Sequence, residues 1–390
     1  MSKKWTLVKI KDICTDVNVG FVGPSTSHRD DEGIPFLMGK NVGPGFLKLT
    51  SLDRVTRAFH EGNKKSQLRA GDVVVVRIGN SGQAAVVPED FGEANCSGLV
   101  IIKHPMDILA DYLVYYLNSP TGRAYSMSQA IGSTRSTLNT KTVAETLIPL
   151  PPMEEQKRIV AKLDQALGHV DELEQNAKLN LRDIDQLWLS ALGSLMAPPP
   201  KSSENDHVRL GDIATLVNGR AYKKEELLDE GKYRVLRVGN FFSSEHWYWS
   251  DLELDEHKYC DSGDLLYAWS ASFGPRIWTG ERTIFHYHIW KVLFDESLIV
   301  RDWLKYWFEW DVDRVKAAAG VGTTMLHVTK GAMEDRKLII PPLPEQKEIV
   351  RQLDRLASEL GVLKSNVENS SLQRQSLRSS ILSAAFAGDL

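Results

Sequence analysis

Residues Pro151 to Asp164 read PPMEEQKRIVAKLD, and residues Pro341 to Asp354 read PPLPEQKEIVRQLD. The second stretch repeats the Glu, Gln, Lys, Ile, Val, Leu and Asp of the first at the same spacing. Each stretch predicts the start of a long helix, because proline is tolerated before or within the first turn and the following Glu suits the positive end of the helix dipole. An internal repeat of this kind determines how the rest of the chain is divided.

Apolar residues recur with a heptad spacing in both predicted helices. In the first helix the two core positions are held by Ile159, Ala166, Leu173 and Leu187, and by Leu163, Val170, Ala177, Ile184 and Ala191. In the second helix they are held by Ile349, Leu356, Leu363, Leu377 and Ala384, and by Leu353, Leu360, Val367 and Ile381. This pattern indicates a coiled coil. A helix of about forty residues spans about 60 Å, so we interpret each as a spacer.

A second apolar stripe lies beside the first on the first helix. It consists of Val160, Leu167, Leu181, Trp188 and Leu195. The stripe makes the apolar face wider than a two-helix seam can cover. One interpretation is that this face packs on the globular domains of the same chain. The other, which we favour, is that helices of a partner protein cover it, and the five residues are then partner-binding candidates.

The repeat extends into the residues that precede each helix. Gly71-Asp72-Val73-Val74 matches Gly263-Asp264-Leu265-Leu266, and Asp111-Tyr112-Leu113 matches Asp302-Trp303-Leu304. The sequence therefore predicts a globular domain at 1–150, a spacer helix at 151–197, a Pro- and Ser-rich linker at 198–207, a second domain at 208–340 and a second spacer helix at 341–390. Because the second domain joins the end of one helix to the start of the other, the helices must run antiparallel if they pair.

Short apolar runs bounded by Gly, Asp and Asn predict strands in both domains. These runs are Val73 to Ile78, Leu99 to Ile102, Ile284 to Ile289 and Trp290 to Phe294. Asp111 to Leu117 and Asp302 to Trp310 predict short helices, because large apolar residues recur at spacings of three and four after an acidic cap. The predicted fold class is α+β. Two similar mixed α/β domains are separated by two long antiparallel helices that form a coiled coil, with pseudo-twofold symmetry from the internal repeat.

Composition is that of a globular protein, with 42% hydrophobic and 25% charged residues. No apolar run reaches 18 residues and no signal peptide follows Met1, so we expect a cytoplasmic protein without a membrane partner. Cys14, Cys96 and Cys260 are far apart and lack a CxxC pattern, so they predict buried free thiols. The net charge of −4 leaves nucleic-acid binding undecided.

The common catalytic motifs are absent from the sequence. It contains no GxxxxGK[ST] phosphate loop, no GxGxxG after a strand and no HExxH metal motif. A self-contained nuclease or methyltransferase would need motifs of this kind. His286 and His288 would share one face of a strand at a metal-ligand separation, but no third ligand is evident, so we favour a structural role for them.

Basic and polar loops supply the candidates for DNA contacts. Arginine binds guanine with two hydrogen bonds, Asn and Gln bind adenine, and Ser, Thr and Lys hold phosphates. A solvated surface side chain is the other interpretation at each position. The candidates are Arg54, Arg57, Lys64 and Lys65; Arg77, Asn80, Ser81 and Gln83; Ser133, Thr134 and Arg135; Arg220, Tyr222, Lys223 and Lys224; Arg237 and Asn240; Ser270, Ser272 and Arg276; and Thr323 and Thr324.

The motif Pro-Pro-x-x-Glu-Gln-x-x-Ile-Val, at Pro151 to Val160 and at Pro341 to Val350, resembles that of the specificity subunits of type I restriction-modification enzymes. The resemblance covers the whole chain. It implies two target recognition domains, each reading one half of a bipartite, asymmetric DNA sequence. It also implies that the two helices set the gap between the halves and that the chain itself is not catalytic.

The resemblance implies several partners besides double-stranded DNA. Two modification (methyltransferase) subunits would dock around the helices, and restriction subunits would join the full complex. S-adenosylmethionine, ATP and Mg²⁺ would be cofactors of those subunits, with none in this chain. The alternative function is a coiled-coil scaffold without sequence-specific DNA binding, which would not need two domains that share a framework and differ on their surfaces.

Overall fold

The computed structural model describes residues 5–128, 138–199, 202–270, 272–318 and 328–387. The chain forms two compact units, Met1–Lys178 with Glu368–Leu390, and Leu179–Val367. Each unit contains one globular domain together with a segment of each long helix. The compact units thus cut across the long helices, whereas the division predicted from sequence treats each helix as a separate segment.

The first domain contains three sheets. A four-stranded antiparallel sheet has the order β2-β9-β6-β7, with strands Cys14–Val19, Leu99–Pro105, Val73–Val76 and Ala84–Val86. A second sheet has the order β4-β3-β8-β5, with strands Asp53–Val55, Arg29–Leu37, Ala94–Cys96 and Gln67–Leu68, of which β3 and β8 are parallel. A two-stranded sheet pairs β1, Thr6–Lys9, with β10, Leu147–Leu150. The helices are α1, Arg57–Gly62, α2, Ala110–Asn118, α3, Pro120–Ser128, and α4, Thr140–Ala144.

The second domain repeats this topology strand by strand. Its antiparallel sheet has the order β12-β19-β16-β17, with strands Ala214–Asn218, Ile289–Phe294, Leu265–Ser270 and Ser272–Ile277. Its mixed sheet has the order β14-β13-β18-β15, with strands Tyr248–Ser250, Tyr233–Leu236, Thr283–Phe285 and Tyr259–Cys260, of which β13 and β18 are parallel. Strand β11, Val208–Arg209, pairs with β20, Lys337–Leu338. The helices are α6, Leu210–Ile213, α7, Val238–Phe242, α8, Arg301–Ala318, and α9, Lys330–Glu334.

Strand β6 explains how the first domain builds its core. Successive side chains of a strand point to opposite faces. Val73 and Val75 pack in the cluster that contains α2 and the start of the first long helix, whereas Val74 and Val76 pack against residues of the mixed sheet. All four valines are buried, which accounts for a continuous apolar run in place of an alternating one.

The long helices are α5, Met153–Met196, and α10, Leu343–Ala387. They begin at the repeated motif, and the start of each is anchored to its own domain by a buried glutamine. Gln156 accepts a hydrogen bond from the Leu109 backbone N–H at 2.8 Å, and its amide donates to the carbonyls of Asp107 and Pro151 at 3.1 and 2.9 Å. These bonds satisfy three backbone groups at the junction, which explains a buried polar side chain there.

Gln346 makes the corresponding three bonds in the second domain. It accepts from the Val300 N–H at 2.7 Å and donates to the carbonyls of Leu298 and Pro341 at 2.9 and 2.7 Å. Both glutamine side chains are fully buried. The sequence repeat therefore corresponds to the same junction built twice.

The long helices pack antiparallel within each unit, as predicted. In the first unit Asp171 pairs with Arg378, and Leu382 lies in the same core cluster as Leu163. In the second unit Asp185 pairs with Lys364 at 3.3 Å, and Leu353 shares a cluster with Leu192. The α+β fold with two mixed domains and two long antiparallel helices is confirmed.

The predicted heptad burial holds along one core position of α5, whereas at the other it holds for Ile159 and is wrong at Leu173 and Leu187. Leu163, Val170, Ala177 and Ile184 are buried. Leu173 is 50% exposed and Leu187 is 57% exposed. A single antiparallel partner helix covers only a narrow seam, so the edge of the apolar stripe remains in solvent. On α10, Leu363 and Leu377 are exposed for the same reason.

Several predicted elements change their bounds. The strand predicted from Ile284 to Ile289 is wrong at its centre, because β18 ends at Phe285, the chain turns at Tyr287, and β19 begins at Ile289. The predicted helix that starts at Asp302 extends to Ala318. The three cysteines are buried free thiols, as predicted. In the part of the chain that the structure describes, no helix is long and apolar enough to cross a membrane.

Candidate nucleic-acid interface

Four exposed basic candidates of the first domain differ in whether they have a partner within the domain. Arg54 donates to the Gly33 carbonyl at 2.8 Å, and Arg57 pairs with Glu93 at 3.2 Å. Lys64 and Lys65 are exposed on the short turn Lys64–Ser66. The two lysines are therefore better placed than the two arginines to contact DNA.

The candidates between Arg77 and Gln83 lie in a loop that is held partly by their own polar side chains. Arg77 donates from Nε to the Leu138 carbonyl at 3.1 Å, and the Ser81 hydroxyl donates to the Arg77 carbonyl at 2.8 Å. Asn80 is exposed, and Gln83 is half-buried. Arg77 and Ser81 therefore stabilise the loop, whereas Asn80 faces solvent.

A cavity of about 380 Å³ lies near the exposed Lys64. Its lining contains both basic and acidic residues. One of the acids, Asp72, is buried and pairs with Lys103 at 3.2 Å. Asp72 also accepts hydrogen bonds from the backbone N–H groups of Arg69 and His104, at 2.9 and 3.1 Å. These bonds explain why Gly-Asp recurs before a strand in both domains, and they mark a structural role for this aspartate.

The first basic group of the second domain is partly neutralised. Arg220 forms a bidentate pair with Glu226 at 2.9 and 2.7 Å and lies over the Tyr222 ring at 5.3 Å. The Arg220 guanidinium lowers the pKa of the Glu226 carboxyl to about 2. Lys223 and Lys224 are exposed beside this pair.

A second cavity, of about 320 Å³, brings two of the DNA-contact candidates, Arg237 and Asn240, together with His286 and His288. It is lined by Arg237, Val238, Gly239, Asn240, Ser244, His246, Tyr248, His286 and His288. Asn240 donates to the carbonyls of Ser244 and His246, at 3.1 and 2.6 Å, so its amide group shapes the loop after α7. His246 was missed, and its only sequence signal is the density of His and aromatic residues around it.

His286 and His288 are close neighbours, but the strand that was predicted to carry them is interrupted. Their ring centroids are 4.9 Å apart, and His286 also stacks on Tyr222 at 6.4 Å. Burial, His288 and the Arg237 charge together lower the pKa of His286 to about 4, so this ring is neutral near pH 7. Among the described residues, no group of three His, Cys, Asp or Glu side chains could hold a metal ion.

The remaining candidates of the second domain differ in exposure. Ser270 is buried at the end of β16, so it faces the interior and not a ligand, whereas Ser272 is exposed at the start of β17. Arg276 is exposed and lies over the rings of Phe241 and Phe242, at 5.8 and 6.0 Å. The candidates Ser133, Thr134, Arg135, Thr323 and Thr324 lie outside the described residues.

The five partner-binding candidates on α5 are mostly packed against their own domains. Val160 and Leu167 belong to the core of the first domain, and Trp188 and Leu195 pack against that of the second. Leu181 is half-buried. The indole N–H of Trp188 donates to Glu309 at 2.7 Å. The structure therefore favours the first of our two interpretations of this stripe, namely packing within the chain.

The exposed apolar residues of α5 lie elsewhere on its surface. They are Leu173, Leu179, Leu187 and Leu189, each more than 40% exposed. Leu173 and Leu187 are fourteen residues apart, which places them on the same side of the helix. They are better placed than the predicted stripe to contact another protein.

Residues 2–181 and 202–369 both match the family model described as type I restriction modification DNA specificity domain. The chain is similar to the StySPI specificity subunit of Salmonella potsdam, at 24% identity over 93% of this chain and 84% of that protein. It is also similar to the EcoKI specificity subunit of Escherichia coli K12, at 24% identity over 92% and 83%. The EcoBI specificity subunit of Escherichia coli matches at 26% identity over 44% of this chain and 36% of that protein.

Two solved structures share the fold over their whole length. One is a chain from a type I R-M system, with a TM-score of 0.74 at 20% identity and coverage of 100% and 99%. The other is the HsdS subunit from Thermoanaerobacter tengcongensis, with a TM-score of 0.54 at 21% identity and coverage of 100% and 98%.

Proposed function

The chain belongs to the type I restriction modification DNA specificity family, and from this premise we propose that it is the DNA sequence-recognition subunit of a type I restriction-modification enzyme. The observation that carries the proposal is the repeated topology. Two domains with identical strand orders place corresponding residues in different surroundings. Asn41 is buried and bonds to Met38 and Lys48, whereas its counterpart Asn240 lines an open cavity.

Each domain reads one half of a bipartite, asymmetric DNA sequence. A shared framework with different surface residues suits two half-sites of unrelated sequence, because specificity depends on the side chains that reach base edges. The long helices set the number of unread base pairs between the halves. A coiled-coil scaffold without DNA binding would not require two such domains, so it is the less favoured alternative.

Catalysis is assigned to partner subunits. Two modification subunits bind around the long helices and methylate adenine with S-adenosylmethionine, and restriction subunits use ATP and Mg²⁺ for translocation and cleavage. This division rests on the family and on the lack of catalytic motifs in the sequence. The exposed leucines of α5, with Leu173 and Leu187 as the clearest cases, supply an apolar surface for the modification subunits.

A domain exchange tests the function directly. Residues 208–340 are replaced by the corresponding domain of a related protein, and the chimera is expressed with its modification subunit in cells that lack other adenine methyltransferases. Mapping methylated adenines in genomic DNA should show that one half of the site changes and the other half is retained. A change in both halves would refute the division of labour, and unmodified DNA with the wild-type pair would refute the function.

The isolated chain provides the second arm of this test. We expect no methyl transfer when the pure protein is incubated with labelled S-adenosylmethionine and DNA. Addition of the modification subunit should restore transfer at the mapped sites. Methyl transfer by the isolated chain would contradict the assignment of catalysis to the partner.

A further inference from the structure

Most arginines of the second domain are bound within the domain. Residues 208–340 contain nine arginines, and seven of them have a carboxylate or backbone carbonyl partner. These seven are Arg209, Arg220, Arg234, Arg282, Arg301, Arg314 and Arg336. Within the described part of the chain, Arg237 and Arg276 have neither a hydrogen bond nor an ion pair.

These two arginines lie at one short element of the domain. Arg237 is the N-cap residue of α7 and lies over the Tyr248 ring at 5.2 Å. Arg276 projects from the adjoining strand over Phe241 and Phe242, at the other end of the same helix. A five-residue helix is about 7.5 Å long, so both arginines are associated with one short element.

Contact with an aromatic ring restricts each guanidinium without consuming its donors. A cation–π contact of this kind leaves the N–H groups of the arginine free to donate, and less rotamer entropy is lost when they bind. An ion-paired arginine such as Arg282, by contrast, has already committed its donors to Glu256 and Asp261. Arg237 and Arg276 are therefore oriented and available.

The surroundings of Arg237 favour a ligand rich in hydrogen-bond acceptors. None of the nine described residues that line the 320 Å³ cavity is acidic, so the guanidinium charge is not compensated there. His286 is neutral near pH 7 and adds no second charge. A neutral base edge with two adjacent acceptors fits this environment and the planar fork.

We propose that Arg237 and Arg276 determine the sequence specificity of the second domain by each binding the O6 and N7 atoms of a guanine, with α7 as the element that faces the major groove. Guanine is the base that offers two acceptors at the spacing of the guanidinium fork. This inference rests on the proposed function. The exposed Lys223 and Lys224, which no aromatic ring restrains, are assigned to phosphates, where geometry matters less.

The test uses the complete complex with the modification subunit. Arg237→Gln and Arg276→Gln are expressed separately, and methylated adenines are mapped in genomic DNA. Each variant should relax the preference at one guanine of the second half-site by about 5- to 150-fold, and the first half-site should be unchanged. Arg237→Lys should relax the same position less than Arg237→Gln does, because an ammonium can still reach O6 and N7 but lacks the planar fork that fixes the guanidinium on guanine.

Arg282→Gln is the matched control, because Arg282 lies in the same domain and is already ion-paired. It should leave the recognised sequence unchanged. The proposal would be overturned if Arg237→Gln and Arg276→Gln lowered the DNA affinity equally for all sequences and made this affinity less dependent on salt. That result would indicate phosphate contacts. An unchanged recognition sequence would overturn it as well. Thermal unfolding of the purified variants identifies misfolding. If Arg237→Gln misfolds, Arg276→Gln decides the test, because Arg276 is exposed.

If the wild-type complex itself methylates no defined sequence, the proposed function fails. If the wild-type complex methylates a defined sequence but neither arginine variant changes a base preference, only the guanine-binding roles of Arg237 and Arg276 are refuted. The two results are therefore distinguishable in the same experiment.

Discussion

The side-chain carbonyl of Gln156 accepts a hydrogen bond from the backbone N–H of Leu109 at 2.8 Å. This contact joins the first turn of α5 to the residue just before α2, and the same glutamine also binds two carbonyls. Gln346 repeats the arrangement in the second domain. The orientation of each domain on the start of its helix thus depends on one buried amide group.

Replacement of this amide should destabilise the junction. In Gln156→Leu, the Leu109 N–H and the Asp107 and Pro151 carbonyls lose their partner, and the Pro151 contact is buried, so we expect a loss of about 2 kcal/mol in the free energy of unfolding. Urea denaturation measures this loss. Gln165→Leu is the control, because Gln165 is exposed on the same helix. Equal stability of the two variants would contradict the structural role of Gln156.

A tyrosine–aspartate contact also recurs at both junctions. The Tyr306 hydroxyl donates to Asp354 Oδ1 at 2.5 Å, and the Tyr115 hydroxyl donates to Asp164 Oδ1 at 2.5 Å. Burial and the Asp354 hydrogen bond raise the pKa of Tyr306, so the hydroxyl stays protonated and remains a donor.

Tyr306→Phe should therefore lower the free energy of unfolding by about 1.5 kcal/mol, the usual contribution of a hydrogen bond to a charged group. A double-mutant cycle with Asp354→Asn should give a coupling energy above about 0.5 kcal/mol. Tyr233→Phe, which removes a more exposed contact of 3.3 Å to Glu253, should have a smaller effect. Additive effects of Tyr306→Phe and Asp354→Asn would show that the pair is not coupled.

The exposed leucines of α5 predict a docking surface. The double variant Leu173→Glu with Leu187→Glu should keep its stability, because both side chains already face solvent. Co-purification with the modification subunit should fall at least tenfold, since burial of a large apolar side chain contributes about 2 kcal/mol. Arg182→Glu introduces the same residue at an exposed position on another face of the helix and should leave assembly intact. Unchanged assembly of the leucine variant would place the partner elsewhere.

The cavity histidine predicts a dependence of stability on pH. The pKa of His286 is lowered to about 4 by burial, His288 and Arg237, whereas an unfolded histidine has a pKa of about 6.5. The unfolded state therefore binds the proton first as pH falls, and the contribution of His286 to stability is complete above pH 6.5 and is lost between about 6.5 and 4. The contribution of His286 is measured by comparing the unfolding free energies of the wild type and His286→Gln across this pH range. Parallel pH profiles would contradict the prediction.

Helix length should determine the spacing between half-sites. Insertion of one heptad in each long helix preserves the apolar seam and lengthens each helix by about 10 Å, which corresponds to about three base pairs. Mapped methylation sites should then keep both half-sites and change only the gap between them. A change in the bases recognised would contradict the role of the helices as spacers.

The repeat, the two helix starts and the antiparallel direction were all predictable from the sequence. Proline before a Glu-Gln pair and a heptad pattern are local signals, because helix caps and helix periodicity depend on neighbouring residues. The connection of two helices through one domain constrains their direction without any knowledge of contacts. The buried cysteines followed from their number and spacing in the same way.

The side of each helix that is buried was decided by tertiary structure. Leu187 and Trp188 are adjacent in sequence, yet Leu187 is exposed and Trp188 packs on Tyr306. Apolar periodicity identifies the apolar face of a helix. It does not give the width of that face that a neighbouring element covers. The strand predicted through His286 failed for a related reason, because a turn within an apolar run depends on which strands pair on either side.

The sequence by itself determined the repeated architecture and the residue types available for DNA contacts. Only the tertiary structure decided which of those residues are free to make them. Arg220 and Arg237 look equivalent in sequence, but the chain brings Glu226 to one and the Tyr248 ring to the other. Each partner lies near its arginine in sequence, so it is the path of the backbone, and not the residue types, that decides whether a carboxylate or an aromatic ring reaches the guanidinium.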